Sequence, residues 1–581
     1  MSLSPDSLSL SLDSLPAELR LGADHILLLR AAAGGPRGRD EQREFGFYGL
    51  EADGALRSGG RVSLFTRDTL GLLLNYAGIG VLYGGLNNAL PPFLRAYLQQ
   101  DADQIHAAYT VLNWAWSFKF FGGFLTDSVR ICGYRRKPYL VFGWTLCVGS
   151  LVYLGAAGMP AVDSAGAAWT YTGVMTLATV GYFLANVAAD GLMVEYAQRE
   201  PLPVRGHTQV AIYAARMLGL VAADLFVTVG LNGSEYGGDF SFSLDFNQVM
   251  LVLAVVALVP LIGSVWLLHE DRGAATWSST MTPPRHLGPH PLGPEPTTRL
   301  VEALDPPLTF RGRCQQIWRL VQSRAMWQVL MFELVATFCQ TVDSSASAAV
   351  EANWANVHSF SKSVSLAVWG LCFTAGLLFT RQYLLHGGWG HLFCVATIWI
   401  VGVNVVTVGC TIFNVARHQY FWLYMQMLAA PAAALRFLVF LFPIVELAPR
   451  GLEGTTYGLI ITFHNLAIPL GVAAYKAVDS YFSLSDEDLH ADADSTRLQV
   501  TYTYLIAWAL QLLSLAFVGL LPRQKLEVQQ LRYYGGYSTS AGWLVVLTLV
   551  GVLVYTSTAN VLALFTSTAC LRIAGGAGCG D

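Results

Sequence analysis

Apolar residues in this chain come in long unbroken runs, not in alternating or heptad patterns. Runs near 69–90, 107–125, 139–158, 172–195, 209–230 and 247–268 each approach or exceed the roughly 20 residues a helix needs to cross a bilayer. A polar stretch then extends from His269 to about Arg324, holding Pro283, Pro284, Pro289, Pro291, Pro294, Pro296, Pro306 and Pro307. Six further runs follow, near 326–345, 363–380, 391–413, 420–445, 455–475 and 499–520. Two sets of six around a central linker predict an all-α polytopic membrane protein built from two helix bundles. A last run, from Ala541 to about Phe565, is either a thirteenth span or a segment packed against the bundle; its length favours spanning.

The predicted organisation is a tail over 1–67, a six-helix half over 68–268, a linker over 269–324, a second half over 325–522 and a C-terminal tail over 523–581 with the thirteenth helix. The N-terminal segment has no apolar run longer than Ile26–Leu29, and Asp6, Asp13, Glu18 and Asp24 disfavour a transit peptide. It reads as a mobile tail. The linker composition reads as unstructured, apart from a short amphipathic helix around Cys314 to Val321.

Lys and Arg in short loops set orientation. The 126–138 loop carries Arg130, Arg135, Arg136 and Lys137, and the 196–208 loop carries Arg199 and Arg205, whereas the loops near 159–171 and 231–246 carry neither residue type. The basic loops, the N-terminus and the linker are therefore expected in the cytoplasm. The signal weakens in the second half, where Lys362, Arg417, Lys476 and Arg497 fall on the outer side. Asn232-Gly-Ser234 is then an outward-facing glycosylation sequon close to the membrane.

Composition agrees with this reading. Charged residues make up 13% of the chain, against roughly 25% in soluble domains. The net charge of −4 gives no reason to expect a nucleic-acid partner. The nine cysteines form no CxxC and no His/Cys cluster, so no metal or other cofactor is expected. Cys570 and Cys579 are two free thiols, or a disulfide if that end meets an oxidising compartment. No nucleophile–base pair suggests an enzyme.

The charges inside the apolar runs change the picture most. An ionisable side chain at the bilayer centre costs at least ~2.5–3.5 kcal/mol, so it faces a cavity or a partner. Lys119, Arg216 and Arg436 lie at comparable depth on three different spans. A cavity lined by all three would attract an anion, and Arg holds a carboxylate by two hydrogen bonds. Tyr213 is one turn from Arg216, and Trp116 is close to Lys119; both offer surfaces for a flat ring. These five are the candidate substrate-binding residues. The competing reading is that buried charges pair and pin helices together, for example Asp190 with Arg216. Asp224 reads as surface near a helix end, and His464 and Asn465 as interhelical hydrogen-bonding residues.

Asp190 and Glu333 are the candidate proton carriers. Desolvation favours a neutral carboxyl and a neighbouring Arg favours the ionised form, so a carboxylate that gains and loses an Arg partner can load and release a proton. The two halves also echo each other: Val194-Glu195-Tyr-Ala-Gln-Arg199 resembles Val445-Glu446-Leu-Ala-Pro-Arg450. Each motif closes the fourth helix of its half, where repeats place equivalent machinery. With the 126–138 loop they predict a gating network of Asp127, Arg135, Arg136, Lys137, Glu195, Arg199, Glu446 and Arg450.

The stretch Gly122-Gly-Phe-Leu-Thr-Asp127-Ser-Val-Arg130-Ile-Cys-Gly133-Tyr-Arg135-Arg136-Lys137-Pro138 is similar to the loop between the second and third helices of the major facilitator superfamily. Three blocks narrow the resemblance. Asp127…Gly133-Tyr-Arg-Arg-Lys-Pro-Tyr139…Gly143-Trp144 is one. Ala189-Asp190-Gly191-Leu-Met-Val194-Glu195-Tyr-Ala197-Gln198-Arg-Glu200 is the second; it continues through Arg205-Gly206, Gln209, Tyr213 and Arg216. Ala448-Pro-Arg-Gly451-Leu-Glu453-Gly454-Thr-Thr-Tyr457 is the third and ends near Asn465. With Asn75-Tyr76, Tyr83-Gly84 and Trp116-Ser-Phe-Lys119 they resemble the folate-biopterin transporter family over about 68–530. Two positions depart from it: Ala115, where the family often has Pro, and Leu86-Asn87-Asn88, where a proline is common.

The resemblance implies a major facilitator-type 6+6 bundle and transport of folates, pterins or related anions, with protons as the expected co-substrate. The chain is expected to work as a multi-pass monomer in a lipid bilayer, the plasma membrane before an organelle. The rival readings are a carrier of an unrelated metabolite, such as a nucleoside derivative, and a transport-inactive sensor or scaffold.

Overall fold

A computed structural model describes residues 53–571 except 61–62, 64–65, 161–165, 239, 271–309, 483, 485, 564, 566–567 and 569–570. The N-terminal 52 residues, the Pro-rich core of the linker and both Cys570 and Cys579 lie outside the described residues.

The described chain is helical. The first half comprises α1 (Arg67–Pro91), α2 (Ala102–Asn113), α3 (Lys119–Ser128), α4 (Lys137–Ala156), α5 (Ala167–Gln198), α6 (His207–Gly230) and α7 (Phe246–Trp266). A helix on the polar linker, α8 (Phe310–Gln322), precedes α9 (Arg324–Thr341), α10 (Ser359–Phe379), α11 (Trp389–Ile412), α12 (Gln419–Leu447), α13 (Glu453–Asp479) and α14 (Asp494–Leu513). Two helices follow, α15 (Lys525–Tyr534) and α16 (Thr539–Ala563). Eleven spans, taken among the described residues, are long and apolar enough to cross a bilayer. The expected run at 107–125 is split between α2 and α3 and carries Lys119, and α9 is short and carries Glu333.

Local chemistry starts these helices where they begin. Asp245 and Gln248 form a capping box on α7, satisfying backbone N–H groups that have no intrahelical acceptor. The Glu270 carboxylate does the same for α4, accepting from the backbone N–H of Arg135 (2.7 Å), Arg136 (3.0 Å) and Lys137 (2.8 Å). A negative group there also complements the helix dipole. Gly206, at φ 106°, makes the left-handed turn into α6.

Helices of each half pack mainly on one another, and two seams join the halves: α3 with α13, and α6 with α10. Close approach depends on glycine. A Cβ on Gly80 would lie 1.9 Å from the Arg216 carbonyl oxygen, and one on Gly123 would lie 2.1 Å from that of Gly454. The first contact sets the depth of Arg216 against α1; the second locks the halves at the end of the bundle that carries the 126–138 loop, called here the basic end.

Three features differ from expectation. Residues 53–60 do not trail away as tail: Ala55 is buried, and the backbone N–H groups of Leu56 and Arg57 donate to Gln198 O at 3.0 and 3.1 Å. Asp224 is buried rather than surface, and the Asn88 side-chain amide donates to it. The α9 span stops at Thr341 rather than 345, because Asp479 accepts from the Ser345 N–H and hydroxyl and holds the chain in a turn.

The basic residues that weakened the orientation signal are largely neutralised. Arg417 and Arg497 both pair with Asp492 (2.6 and 2.7 Å), and Lys362 pairs with Glu351 (2.9 Å). The side-chain hydrogen bonds of Arg497 and Arg417 hold the Asp492 carboxyl well below the usual carboxylate range. The amphipathic helix expected at 314–321 is present as α8. Its Trp318 meets Trp543 of α16 edge to face at 5.1 Å.

Candidate functional site

The second span is broken in its middle. Between α2 and α3 the chain tightens into a 3-10 turn over Trp114–Phe118, an irregularity often found at functional positions. Trp116 lies on this turn and Lys119 directly after it. The Lys119 ammonium lies 2.8 Å from Asp190 Oδ2 on α5 and donates to Asn186 Oδ1 at 2.9 Å. The Tyr76 hydroxyl on α1 donates to Asp190 Oδ1 at 2.5 Å. Lys119 and Asp190 are each 2% exposed. This pair is enclosed by protein, whereas the sequence suggested an open hollow.

Aromatic rings wall the pair. Lys119 Nζ stands 5.3 Å from the Trp116 ring centroid and 4.7 Å from that of Tyr457 on α13. The hydroxyls of Tyr213 and Tyr457 hydrogen-bond across the two halves. Tyr213 also meets Tyr76 (6.0 Å) and Phe437 (5.1 Å) edge to face. Arg216 sits over the Trp116 and Tyr83 rings, its guanidinium carbon 5.6 and 5.9 Å from their centroids. Among the described residues no carboxylate lies within ion-pairing distance of Arg216. Lys119, Asp190 and Arg216 together therefore carry one uncompensated positive charge.

Asp190 pairs with Lys119, not with Arg216 as one reading of the sequence had it. Arg436 does not join the other two cations. Its guanidinium donates to Gln340 on α9, and Gln340 in turn donates to Ser514 Oγ (2.7 Å) and Gln511 O (3.2 Å). The residue facing Tyr213 is Phe437, one position on and so about 100° round the helix. A second polar cluster lies in this half. Glu333, 2% exposed, has His464 Nδ1 at 3.3 Å from Oε2. Thr337, one turn along α9, shares that ring nitrogen at 2.9 Å.

The basic end is closed by charge. Asp127 is the hub. Its Oδ1 accepts from Arg136 (2.5 Å) and Arg135 (3.2 Å), and its Oδ2 from the N–H (2.6 Å) and hydroxyl (2.7 Å) of Thr455 on α13. Glu453, at the start of α13, pairs with Arg135 (3.3 Å), Arg136 (3.5 Å) and Arg57. Glu195 lies 3.6 Å from Arg136 and 3.9 Å from Arg57. Burial would pull the Arg136 guanidinium down, but Asp127, Glu195 and Glu453 outweigh it and hold it above its ordinary value. The second contact joins Arg205 and Glu446, 2.7 Å apart and each 1% exposed. Gln529 on α15 donates to the same carboxylate at 2.9 Å.

Three expected members stand apart from this ion network. Arg199 stacks on the Tyr196 ring at 5.3 Å. Arg450 is exposed and donates to Leu56 O at 3.0 Å. Lys137 donates to Leu268 O at 2.9 Å. Sequence reasoning missed Glu453 as a member of this ion network, although it lies in a quoted motif. It also missed Arg57, Gln198, Glu270, Gln529 and Asn186. Of these, Gln198 lies in the second quoted block, and Asn186 lies one turn before Asp190 on the same face. His464 and Asn465 do bridge helices; Asn465 donates to Trp116 O at 3.2 Å.

Comparison with known proteins places this architecture. The sequence profile of the BT1 family matches residues 80–534. The chain belongs to the BT1 family. This BT1-family protein is 23% identical over 423 residues to the folate-biopterin transporter of Synechocystis sp., covering 70% of the chain and 72% of the relative. It is 25% identical over 178 residues to an Arabidopsis thaliana protein named "Probable folate-biopterin transporter 4", covering 31% of the chain and 33% of that relative. Its fold is similar to that of a proton:xylose symporter of the major facilitator superfamily. The TM-score is 0.51 at 13% identity, over 79% of this chain and 98% of the symporter. The BT1-family chain is thus a multi-pass membrane transporter with a major facilitator-type 6+6 bundle and an additional C-terminal helix, and not an enzyme.

Proposed function

We propose that this transporter moves folate, a pterin or a related organic anion by alternating access, in symport with protons. The observation that carries this reading is Arg216. It is a guanidinium with no described carboxylate partner, laid over the Trp116 and Tyr83 rings beside a Lys119–Asp190 pair that is already neutral. A flat heterocycle would stack on such rings and a carboxylate would take both arms of the fork. Lys119, Tyr213 and Trp116 shape the same site; Arg436 would reach it only in another conformation. The names of the similar Synechocystis and Arabidopsis proteins support the substrate class.

With the basic end in the cytoplasm, the described conformation is closed to the cell interior by Asp127, Arg135, Arg136, Glu195, Glu446 and Glu453. Opening requires breaking those pairs while the halves rock about the α3–α13 and α6–α10 seams. Proton symport follows from energetics. A potential of 100 mV opposes entry of each net negative charge by ~2.3 kcal/mol, so an anion entering an inside-negative cell needs a cationic companion. The plasma membrane and a monomeric carrier are the settings we propose.

The test is uptake of labelled folate and biopterin into proteoliposomes under an imposed pH gradient. Gradient-driven accumulation, competed by unlabelled pterin, is the expected outcome. Equal uptake with and without the gradient would remove the proton, and no uptake of either solute would remove the substrate class.

A further inference from the structure

Asp190 and Glu333, two of the acids buried in the spans, stand in different surroundings. Asp190 has a fixed cation, Lys119 at 2.8 Å, and a hydroxyl from Tyr76. Its charge is matched by that of Lys119. Among the described residues, Glu333 has no Lys or Arg within ion-pairing distance. Of the elements packed on α9, α13 brings His464, the one basic side chain within ion-pairing distance of the carboxyl among the described residues. From α12 comes Arg436, held by Gln340, which lies seven residues and so about 10 Å along α9 from Glu333. Near Gln340, α11 and α14 present Thr397, Gln511 and the following Ser514, none of them ionisable.

A lone carboxylate buried here would cost several kcal/mol. A Glu333–His464 pair that holds one proton between Oε2 and Nδ1 is neutral as a unit when His464 is otherwise uncharged, or a neighbouring ion pair when it is protonated. Either state satisfies the observed 3.3 Å contact, with Thr337 steadying the ring. His464 is 27% exposed where Glu333 is 2% exposed, so His464 is the member through which a proton enters and leaves.

We propose that the Glu333–His464 pair is the proton-binding site of this transporter, separate from the anion site at Arg216. This rests on the symport reading above and names the carrier within it. The proton leaves the pair to water by way of His464. The carboxylate left behind gains Arg436, released from Gln340, as its cation. A short path ties this event to the anion site. The next residue, Asn465, donates to Trp116 O at 3.2 Å, and the Trp116 ring lies under both Lys119 and Arg216.

Two measurements on the full-length protein in lipid test this. Infrared difference spectra between acidic and alkaline buffer should show the carbonyl band of a protonated buried carboxyl. The band should vanish in Glu333→Gln, persist in Asp190→Asn, and change its pH midpoint in His464→Gln. A band that survives Glu333→Gln and vanishes in Asp190→Asn overturns the proposal, and this readout needs no substrate. In proteoliposomes, Glu333→Gln should exchange labelled pterin across equal pH at near wild-type rate yet lose accumulation driven by a pH gradient. Retained gradient-driven accumulation also overturns it. If wild type moves no pterin, the substrate reading fails while the infrared result still decides the proton site.

Discussion

Lys119 and Asp190 form an ion pair across two helices, 2.8 Å from Nζ to Oδ2, at a depth where each side chain is 2% exposed. Removing one partner strands the other charge without water. Asp190→Asn or Lys119→Met should each lower stability by about 3–5 kcal/mol. The double substitution should recover most of that loss, because no charge is left uncompensated. Thermal unfolding in detergent reads the stability cycle. If the double variant is as unstable as either single one, the two residues do not act as a pair.

Arg216 carries the opposite expectation, since no described carboxylate depends on it. Arg216→Ala should abolish uptake while the protein still reaches the membrane in wild-type amount. Arg216→Lys keeps the charge but loses the planar fork. Losing one charge-assisted hydrogen bond costs about 1.5–3 kcal/mol, so KM should rise roughly ten- to a hundredfold. Uptake kinetics beside a surface-labelling control check both. Normal uptake by Arg216→Ala would sink the central role given to this residue.

These residues were legible because a charge inside an apolar run is visible in one dimension. Lys119, Asp190, Arg216 and Glu333 all announce themselves that way, and the spans stand close to where the runs put them. What the runs do not encode is direction around a helix and the partner across it. Asp190 meets Lys119 because the 3-10 turn at Trp114–Phe118 re-aims the second span, a break hidden inside an apolar stretch. Arg436 faces Gln340 while its neighbour Phe437 faces Tyr213. Arg57 reaches Glu453 from a segment whose polar composition looks like free tail. Glu453 stands in a motif the sequence displays, but only the approach of the two halves shows it between three arginines.

Closure of the basic end depends on bare backbone at one crossing. A Cβ at Gly123 would stand 2.1 Å from Gly454 O, far inside contact distance and against backbone that cannot swing away. Gly123→Val should therefore hold the basic end apart without touching any charged residue. A cysteine placed by Thr455→Cys, buried at that interface in the wild-type protein, should then label from the basic side several times faster. Unchanged labelling would show that the halves can close by another route.

The last prediction concerns α15, which lies outside the spans. Its Lys525 side chain is buried and donates to Leu202 O at 3.1 Å and Arg205 O at 2.8 Å, tying α15 to the loop after α5. Burial, with help from Arg205 and against Glu446 and Glu200, pulls the Lys525 ammonium down from 10.5 to about 8. The docked helix thus binds fewer protons than a released one between about 8 and 10.5. Linkage then requires docking to strengthen as pH rises through that window, with the full cost of burying the ammonium present below it. Amide hydrogen exchange on α15, corrected for the intrinsic pH dependence, should show protection rising from neutral to mildly alkaline buffer. Lys525→Met has no proton to lose there, so its protection should be flat over the same range. A wild-type response equal to that of Lys525→Met would mean that this lysine stays charged when docked, and the strut would then have to be explained by Gln529 and Arg532 on Glu446.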